Sequence, residues 1–378
     1  MKSKITWLLC FCVLSGCGLQ KDSDEASFTT VTKAVEAGDY QTILPYNSTD
    51  SRQTHVDFNR GSYDRIAVGE GLLAYSKKYF SPDDYAIQEG MILDRDTLQV
   101  GAYFGDHKGL LGYQTKENTS GLNPEKGSTI PVGNGVEIIS GVERGKETIP
   151  IVDIFEVDFF DKEDKANEDR EIKGISLTIV LNEKIKDDQG KEYIMSKDSL
   201  MTYASEKARH LIAYLREQPA VGQDIPIFVT MFNAASTDSA LPGCFIGEGY
   251  GTDSINDFSE IDEEWTIFPS ERAQALDSVI YSQFESIKNA LKDFLPNDIG
   301  VTGKGKFTDG KLEYLSIHVI TQIKTYTESS ALLQYMNSLL ANIKSEEIEI
   351  IVEISSDEET YALIKRAVGS LETVVVSK

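Results

Sequence analysis

The alternation of hydrophobic and polar residues predicts the same order of elements in two stretches of the chain. In the first stretch, apolar residues three or four positions apart predict a helix over 62–79. In the second, the same spacing predicts a helix over 271–293. A turn follows each helix, at Pro82 and at Pro296, because proline cannot continue a helix and a neighbouring Asp or Asn favours a turn.

Beyond each turn the pattern continues as strand, helix and strand. The strands are predicted from β-branched runs and the helices from apolar residues at helical spacing. In the first stretch these are a strand at 175–181, a helix at 196–217 and a strand at 225–232. In the second stretch they are a strand at 312–320, a helix at 329–343 and a strand at 347–354. The sequence therefore predicts an α+β fold of two tandem related domains, over 31–233 and 266–378.

Three further segments lie outside this shared order. A glycine-rich insertion over about 100–174 separates the first turn from its strand, and we expect it to be loop-rich and exposed. The segment over 234–265 is acidic and lacks periodicity, which predicts a linker between the domains. At the end of the chain, the pattern predicts a helix over 357–368 that stops at Gly369 and leads into a strand over 371–376.

The first residues have the form of a lipoprotein signal peptide. Two lysines precede an apolar run over 5–14, which is too short to cross a bilayer core that needs ~20 residues. The run ends in Leu14-Ser-Gly-Cys17, a branched apolar residue, two small residues and a cysteine. This is the lipobox pattern, in which diacylglycerol is attached to Cys17 and the chain is cut between Gly16 and Cys17. We therefore expect a signal peptide over 1–16.

Cleavage at this position would leave Cys17 as the acylated first residue of a membrane-anchored protein. Two acyl chains hold a protein stably on a bilayer, whereas one chain gives only marginal binding. The residues over 17–30 are polar and lack periodicity, so we expect a flexible tether there and a location on the outer face of the cell membrane. Cys244 is then the remaining free thiol, so no intramolecular disulfide is expected and a buried, inert thiol is favoured.

Sequence motifs for catalysis, cofactor binding and metal binding are missing. The chain has no phosphate-binding loop, no H-E-x-x-H zinc motif and no G-x-S-x-G nucleophile motif, and its four histidines are isolated. We therefore expect no catalytic residue, no cofactor and no metal. One alternative stays open. The carboxylates over 248–264 could hold calcium, although the EF-hand pattern is absent and an exposed acidic loop is the ordinary explanation.

The charge of the chain limits the class of its partners. Asp and Glu number 61 against 37 Lys and Arg, which gives a formal net charge of −24 at pH 7. Such a surface repels both nucleic acids and anionic lipid headgroups. We therefore expect no nucleic-acid partner, a membrane contact made through the diacylglycerol on Cys17, and an unidentified peptide, cell-wall or protein ligand.

Several segments resemble the CamS family of Gram-positive lipoproteins. The resemblance rests on the lipobox and on short segments of the remaining chain. These segments are Gly71-Leu-Leu-Ala-Tyr-Ser-Lys77 ahead of Gln88-Glu-Gly90, Ile225-Pro-Ile-Phe-Val, Ala240-Leu-Pro-Gly243, Phe268-Pro-Ser270 and Ile299-Gly-Val-Thr-Gly-Lys-Gly305. Members of this family are described as sex-pheromone precursors with two related repeats, and the resemblance implies the same for this chain.

The resemblance also implies that a short apolar peptide is released from the signal peptide, just before the lipidated cysteine. In the family, plasmid-bearing enterococci sense this peptide and begin conjugation. The corresponding residues here are Leu9, Cys10, Phe11, Cys12, Val13, Leu14, Ser15 and Gly16. We therefore expect a surface lipoprotein, not an enzyme, whose body binds a ligand or partner. The alternative is an envelope enzyme or an assembly factor whose site forms only by tertiary contact.

Overall fold

The part of the chain that the structure describes begins at residue 30. The computed structural model covers residues 30–34, 38–46, 48–59, 63–99, 108–162, 170–234, 239–295, 299–356 and 359–377. The predicted signal peptide, and all but the last residue of the predicted tether, lie outside the described residues. Within the covered ranges, no helix is both long enough and apolar enough to cross a bilayer.

The first two thirds of the chain form strands and a smaller number of helices. Their bounds are β1 Thr30–Val31, β2 Gln41–Leu44, α1 Ser51–Asn59, α2 Arg65–Ser76, β3 Tyr85–Glu89, α3 Arg95–Leu98, β4 Thr129–Gly133, β5 Val136–Ile139, β6 Ile151–Asp161, β7 Gly174–Asn182, β8 Lys184–Lys186, β9 Glu192–Ile194, α4 Lys197–Arg216, β10 Ile227–Ala234, β11 Cys244–Gly251 and β12 Ser259–Glu260. Eight of these strands form one sheet, in the order β1-β2-β3-β6-β7-β10-β11-β12.

The last third of the chain builds a second sheet. Its elements are β13 Glu263–Phe268, α5 Glu271–Leu276, α6 Ser278–Phe294, β14 Ile299–Thr308, β15 Lys311–Thr321, α7 Tyr326–Leu340, β16 Glu349–Ser356, β17 Glu359–Arg366 and β18 Val374–Ser377. The six strands lie in chain order, from β13 at one edge to β18 at the other. The fold is thus a mixed α/β arrangement with two large sheets.

The two sheets share one local topology. In the first, β6 and β7 are antiparallel, α4 crosses over to the parallel strand β10, and β11 returns antiparallel. In the second, β14 and β15 are antiparallel, α7 crosses over to the parallel strand β16, and β17 returns antiparallel. A parallel pair needs a crossover of this length, usually a helix. The shared pattern agrees with the predicted repeat, while a duplication of domains remains a prediction.

The faces of the two sheets are covered differently. In the first sheet, Leu177 and Ile179 of β7 pack toward α4, while Val180 packs with Val68 of α2 on the opposite face. Burial on both faces explains why β7 contains no charged residue and why its polar Ser176 and Thr178 are buried beside Val180. In the second sheet, the core lies between the strands and α5, α6 and α7. Its other face leaves side chains such as Ile320 exposed to solvent.

Several predicted elements are confirmed with small changes at their ends. The helix predicted over 196–217 is α4, and the Ser196 side chain accepts a hydrogen bond from the Ser199 N–H at 3.2 Å. The helix predicted over 271–293 is interrupted at Asp277. Its carboxylate accepts from the backbone N–H groups of Val279 and Ile280, both at 2.9 Å, and so starts α6 as a separate helix.

The helix predicted over 357–368 is wrong. Residues 357 and 358 lie outside the described residues, and the following segment is the strand β17. Ala362 and Ile364 are buried while Leu363 between them is exposed, which is the two-residue period of a strand. A short apolar run fits both periods, and here pairing with β16 decides the outcome.

The insertion over 100–174 is not the exposed loop that the sequence predicts. Residues 100–107 and 163–169 lie outside the described residues. Elsewhere in the insertion, Leu110, Leu122 and Ile130 are buried in the same core as α4, and β6 is an inner strand of the first sheet. Glycines permit the turns of this segment, but its leucines and isoleucines determine where it packs.

The predicted linker over 234–265 contains secondary structure. Residues 235–238 lie outside the described residues, but β11 pairs with β10 within the first sheet, and β13 opens the second sheet. The acidic segment lacks periodicity in part because three glycines interrupt the apolar pattern of β11, and this pattern favours the interpretation as a linker. Gly247 and Gly249 face Met201 and Phe258 so closely that a Cβ would lie within 2.4 and 2.6 Å of them. The glycines therefore serve close packing.

Candidate functional site

The residues that the sequence predicts as functional all precede the described part of the chain. Cys17, its cleavage partner Gly16 and the peptide residues 9–16 lie outside the described residues. The structure therefore brings none of them together. What it does show is the body that follows them, in which four polar or apolar features could serve a function.

The first feature is a groove between α7 and β18. The Thr325 side chain starts α7 by accepting from the Glu328 N–H at 3.1 Å. Buried leucines and Met336 on one side of α7 pack against the second sheet. Another side of the helix lines the groove together with the edge strand β18. The groove has a volume of about 250 Å³ and is lined by Tyr326, Ser329, Ser330, Leu333, Gln334, Asn337, Tyr361, Val375 and Ser377.

The strand β18 forms one wall of this groove and the outer edge of the second sheet. It pairs with β17 on one side, and no other strand of the described chain pairs with its far side. Val374, Val375 and Val376 are exposed by 67%, 43% and 64% of their surface. Three exposed valines on a sheet edge are unusual, because edge strands are ordinarily protected by charges, proline or a covering element.

The second feature is a polar cluster around the buried Asp153. One carboxylate oxygen lies 2.9 Å from His55 Nδ1 and accepts from the Tyr63 hydroxyl at 2.5 Å, while the other accepts from the Ile154 N–H at 2.8 Å. Burial, with the nearby Asp153 charge, raises the pKa of Tyr63. The His55 ring stacks on Phe155 with centroids 4.2 Å apart. The cluster therefore ties α1 to β6.

In a catalytic triad, a histidine oriented by an aspartate activates a nucleophile. The triad therefore also needs a serine or cysteine side chain hydrogen-bonded to the histidine. Among the hydrogen bonds of the described residues, none joins His55 to such a side chain. Cys244 is half-buried in β11, and burial raises the pKa of its thiol to about 12. A thiol with such a pKa stays protonated at neutral pH, so it is a poor nucleophile.

The third feature is a pair of carboxyl groups on β6, of which Asp158 is buried and Glu156 is half-buried. Glu156 accepts from the N–H groups of Ile92 and Leu93 at 3.1 and 2.7 Å, and Asp158 accepts from the Met91 N–H at 3.0 Å. Together they anchor the loop after β3. Burial raises the pKa of both groups, and the Glu156 charge raises that of Asp158 further. We therefore expect the pair to retain a proton above the ordinary carboxyl range.

This pair predicts a pH dependence of stability. A carboxyl group whose pKa is raised in the folded state stabilises the protein below its unfolded pKa, and this stability is lost as pH rises through the folded pKa. Asp158→Asn, which stays neutral, should flatten the loss of unfolding free energy as the pH rises above the ordinary carboxyl range. Urea denaturation at several pH values measures this. Glu137→Gln, which changes an exposed carboxylate of β5, should leave the slope unchanged; equal slopes in all three proteins would refute the role of Asp158.

The fourth feature is Glu263, which connects the two sheets. Its carboxylate on β13 accepts from the Tyr75 hydroxyl of α2 at 3.0 Å and from the Phe245 N–H of β11 at 3.3 Å. Lys306 of β14 lies 3.9 Å away. Burial raises the pKa of Glu263, and the Lys306 charge opposes this. One nearly buried carboxylate therefore bonds to both sheets and to a helix.

Four of the other carboxylates over 248–264 lie in ion pairs with lysine or arginine side chains. Lys78 binds Glu248, Lys197 lies beside both Glu260 and Asp262, and Arg272 binds Glu264. Across the residues covered by the structure, no group of three or more His, Cys, Asp and Glu side chains is arranged to hold a metal ion. These four carboxylates thus contact lysine and arginine side chains of the protein itself.

Comparison with known proteins identifies the family. The family model for the CamS sex pheromone cAM373 precursor matches residues 46–372, which is most of the chain. The chain therefore belongs to the CamS family, as its sequence motifs suggested. The family is one of pheromone precursors and is not a known enzyme family. Comparison with curated proteins gives no significant match.

Two solved structures resemble this fold. One is the crystal structure of a sex pheromone precursor from Lactobacillus salivarius subsp. salivarius, with 25% identity and a TM-score of 0.72, covering 92% of this chain and 98% of that chain. The other is the C-terminal domain of the sex pheromone staph-cAM373 precursor from Staphylococcus aureus. It has 23% identity and a TM-score of 0.62, covers 84% of this chain and 97% of that chain, and shows similarity of fold alone.

Proposed function

We propose that this chain is the precursor of both a membrane-anchored lipoprotein and a short peptide pheromone. The CamS family match and the lipobox at Leu14-Ser-Gly-Cys17 support the proposal. Diacylglycerol on Cys17 would hold the body at the outer face of the cell membrane, and its two acyl chains suffice for stable anchoring. The tether over 17–30 would separate the body from the bilayer.

The peptide would be the segment over 9–16. Cleavage before Cys17 sets its end at Gly16, and a second cut within the membrane would set its start at Leu9. The segment contains no charged residue, because Lys2 and Lys4 lie outside it. An uncharged apolar peptide is suited to leaving a membrane-embedded signal sequence and to entering another cell, since transfer of a charge through a bilayer is costly.

The body, from β1 onward, would bind a ligand or partner at the cell surface. Two well-packed cores and a net charge of −24 support a soluble binding module in which the lipid alone makes the membrane contact. The described polar clusters hold the fold together and lack a nucleophile or metal set. Binding therefore explains the body better than the alternative of an envelope enzyme.

The peptide activity is tested on recipient cells. Synthetic Leu9–Gly16 should induce clumping and plasmid transfer in enterococci that carry a pheromone-responsive plasmid. A scrambled peptide of the same composition serves as the control, because it keeps the hydrophobicity and changes only the order of residues. Lack of any response at concentrations where an active pheromone works would refute the signalling role and leave the lipoprotein assignment intact.

A further inference from the structure

We propose that the groove between α7 and β18 binds an extended, uncharged peptide, which adds a strand beside β18. This inference deepens the binding role proposed above for the body and rests on it. It names both the place, at the outer edge of the second sheet, and the class of ligand, a peptide backbone in β conformation.

The backbone of β18 has hydrogen-bonding groups that β17 does not use. Residues of a strand direct their N–H and C=O groups alternately to the two sides, so β18 uses one set for β17 and leaves the other set available. A free strand edge of this kind is the template on which peptide-binding domains add an extended peptide. The two residues of β18 that line the groove, Val375 and Ser377, are also uncharged, so no charge would have to be covered by the side chains of an added strand.

The length and volume of the groove suit a short extended peptide. From Tyr326 to Asn337, α7 rises about 16 Å at 1.5 Å per residue, which matches an extended peptide of about five residues. Val375 and Ser377 line the groove two positions apart, so alternate side chains of an added strand would enter it as well. A cavity of about 150 Å³ accommodates a benzene-sized group. The 250 Å³ of this groove therefore has room for one or two apolar side chains.

The uncharged lining of the groove and the negative charge of the whole protein together favour an uncharged peptide as the occupant. The lining consists of hydroxyl, amide, aliphatic and aromatic side chains, and none of these is charged at neutral pH. The protein as a whole carries a formal net charge of −24. A second copy of the chain would bring the same charge, so pairing of β18 with another β18 is disfavoured by repulsion. An uncharged peptide fits the groove without this cost.

The binding test uses the full chain in phosphatidylcholine nanodiscs and isothermal titration calorimetry. One probe is synthetic Leu9–Gly16 under reducing conditions, and the other is an eight-residue peptide of alternating Val and Thr. We expect at least one to bind with a Kd below about 1 mM. Two further probes are the Val-Thr peptide N-methylated at every Val or at every Thr. Since only alternate residues face β18, one methylated peptide should lose binding about tenfold or more, and the other should keep it.

Two protein variants locate the site. Val375→Asp places a charge in the groove and should weaken binding about tenfold or more. Val374→Asp changes the neighbouring valine, which does not line the groove, and should leave binding within about twofold. Thermal unfolding of both variants verifies that they are folded.

Three binding results would each overturn the inference. They are failure of both unmodified peptides to bind, equal affinity of the two N-methylated peptides, and Val375→Asp binding as well as the unchanged protein. A dimer in sedimentation velocity that Val375→Asp abolishes would also overturn it, since a second copy would then occupy the groove. None of these results affects the conjugation assay, and failure of that assay does not affect binding of the Val-Thr peptide.

Discussion

The Cys17→Ala variant should accumulate as an uncut precursor and yield no peptide. The alanine has no thiol, so diacylglycerol cannot be attached, and the peptidase that cuts before the lipidated cysteine has no substrate. The apolar run over 5–14 then stays on the chain and retains it in the membrane. Immunoblots of native-host membranes should show a single band of the precursor mass, and culture medium should lose its pheromone activity completely.

Cys12→Ala is the matched control for this variant. It removes a thiol from the same signal peptide at a position outside the lipobox, so processing should proceed to the mature mass. The readout for this control is processing and not pheromone activity, because Cys12 lies within Leu9–Gly16 and the released peptide would be altered. Normal processing of Cys17→Ala, or failure of both variants alike, would contradict the assignment of Cys17.

Replacing Glu263 with alanine should destabilise the fold by about 2–5 kcal/mol, because a donor left without its acceptor costs about 1–3 kcal/mol and two donors bond to this carboxylate. The Tyr75 hydroxyl and the Phe245 N–H would lose their acceptor, and Lys306 would lose one of its two carboxylate neighbours. Urea denaturation at neutral pH measures the change. Because Glu263 bonds to both sheets, we also expect faster proteolysis between β11 and β13.

Two variants make this result specific. Glu263→Gln keeps one acceptor oxygen and should cost less, about 1–2 kcal/mol. Glu264→Ala removes the neighbouring carboxylate, whose pairing with Arg272 is largely exposed, and should cost below about 1 kcal/mol. If Glu263→Ala lowered the free energy of unfolding as little as Glu264→Ala, the connection between the two sheets would depend on apolar packing instead of on this carboxylate.

Sequence patterns predict those elements whose ends and buried faces depend on residues close together in the chain. The ends of α4 follow from Ser196 and from the apolar spacing along the helix, so they could be predicted closely. The strand β17 could not, because its apolar residues fit a helix as well, and only the available edge of β16 selects a strand. Gly71 illustrates the same limit. A Cβ there would lie 2.1 Å from the Phe245 ring, a contact that no local pattern reveals.

The candidate sites divide in the same way. The lipobox is a contiguous motif, so sequence alone predicts Cys17 and the cut before it. The groove joins α7 to a strand that follows it by more than thirty residues, and the Asp153 cluster gathers side chains from α1, β6 and the segment before α2. One signal for the buried acids was visible. Asp153, Glu156 and Asp158 interrupt an otherwise apolar strand, and carboxylates in such a run require partners.

Mass spectrometry of the mature N-terminus tests the precursor assignment most directly. The protein is extracted from membranes of its native host with detergent and digested, and the N-terminal peptide is identified by its mass. If the precursor assignment is right, this peptide begins at Cys17 and carries the additional mass of diacylglycerol. A mature protein that still begins at Met1, or an N-terminal Cys17 without lipid, would contradict it.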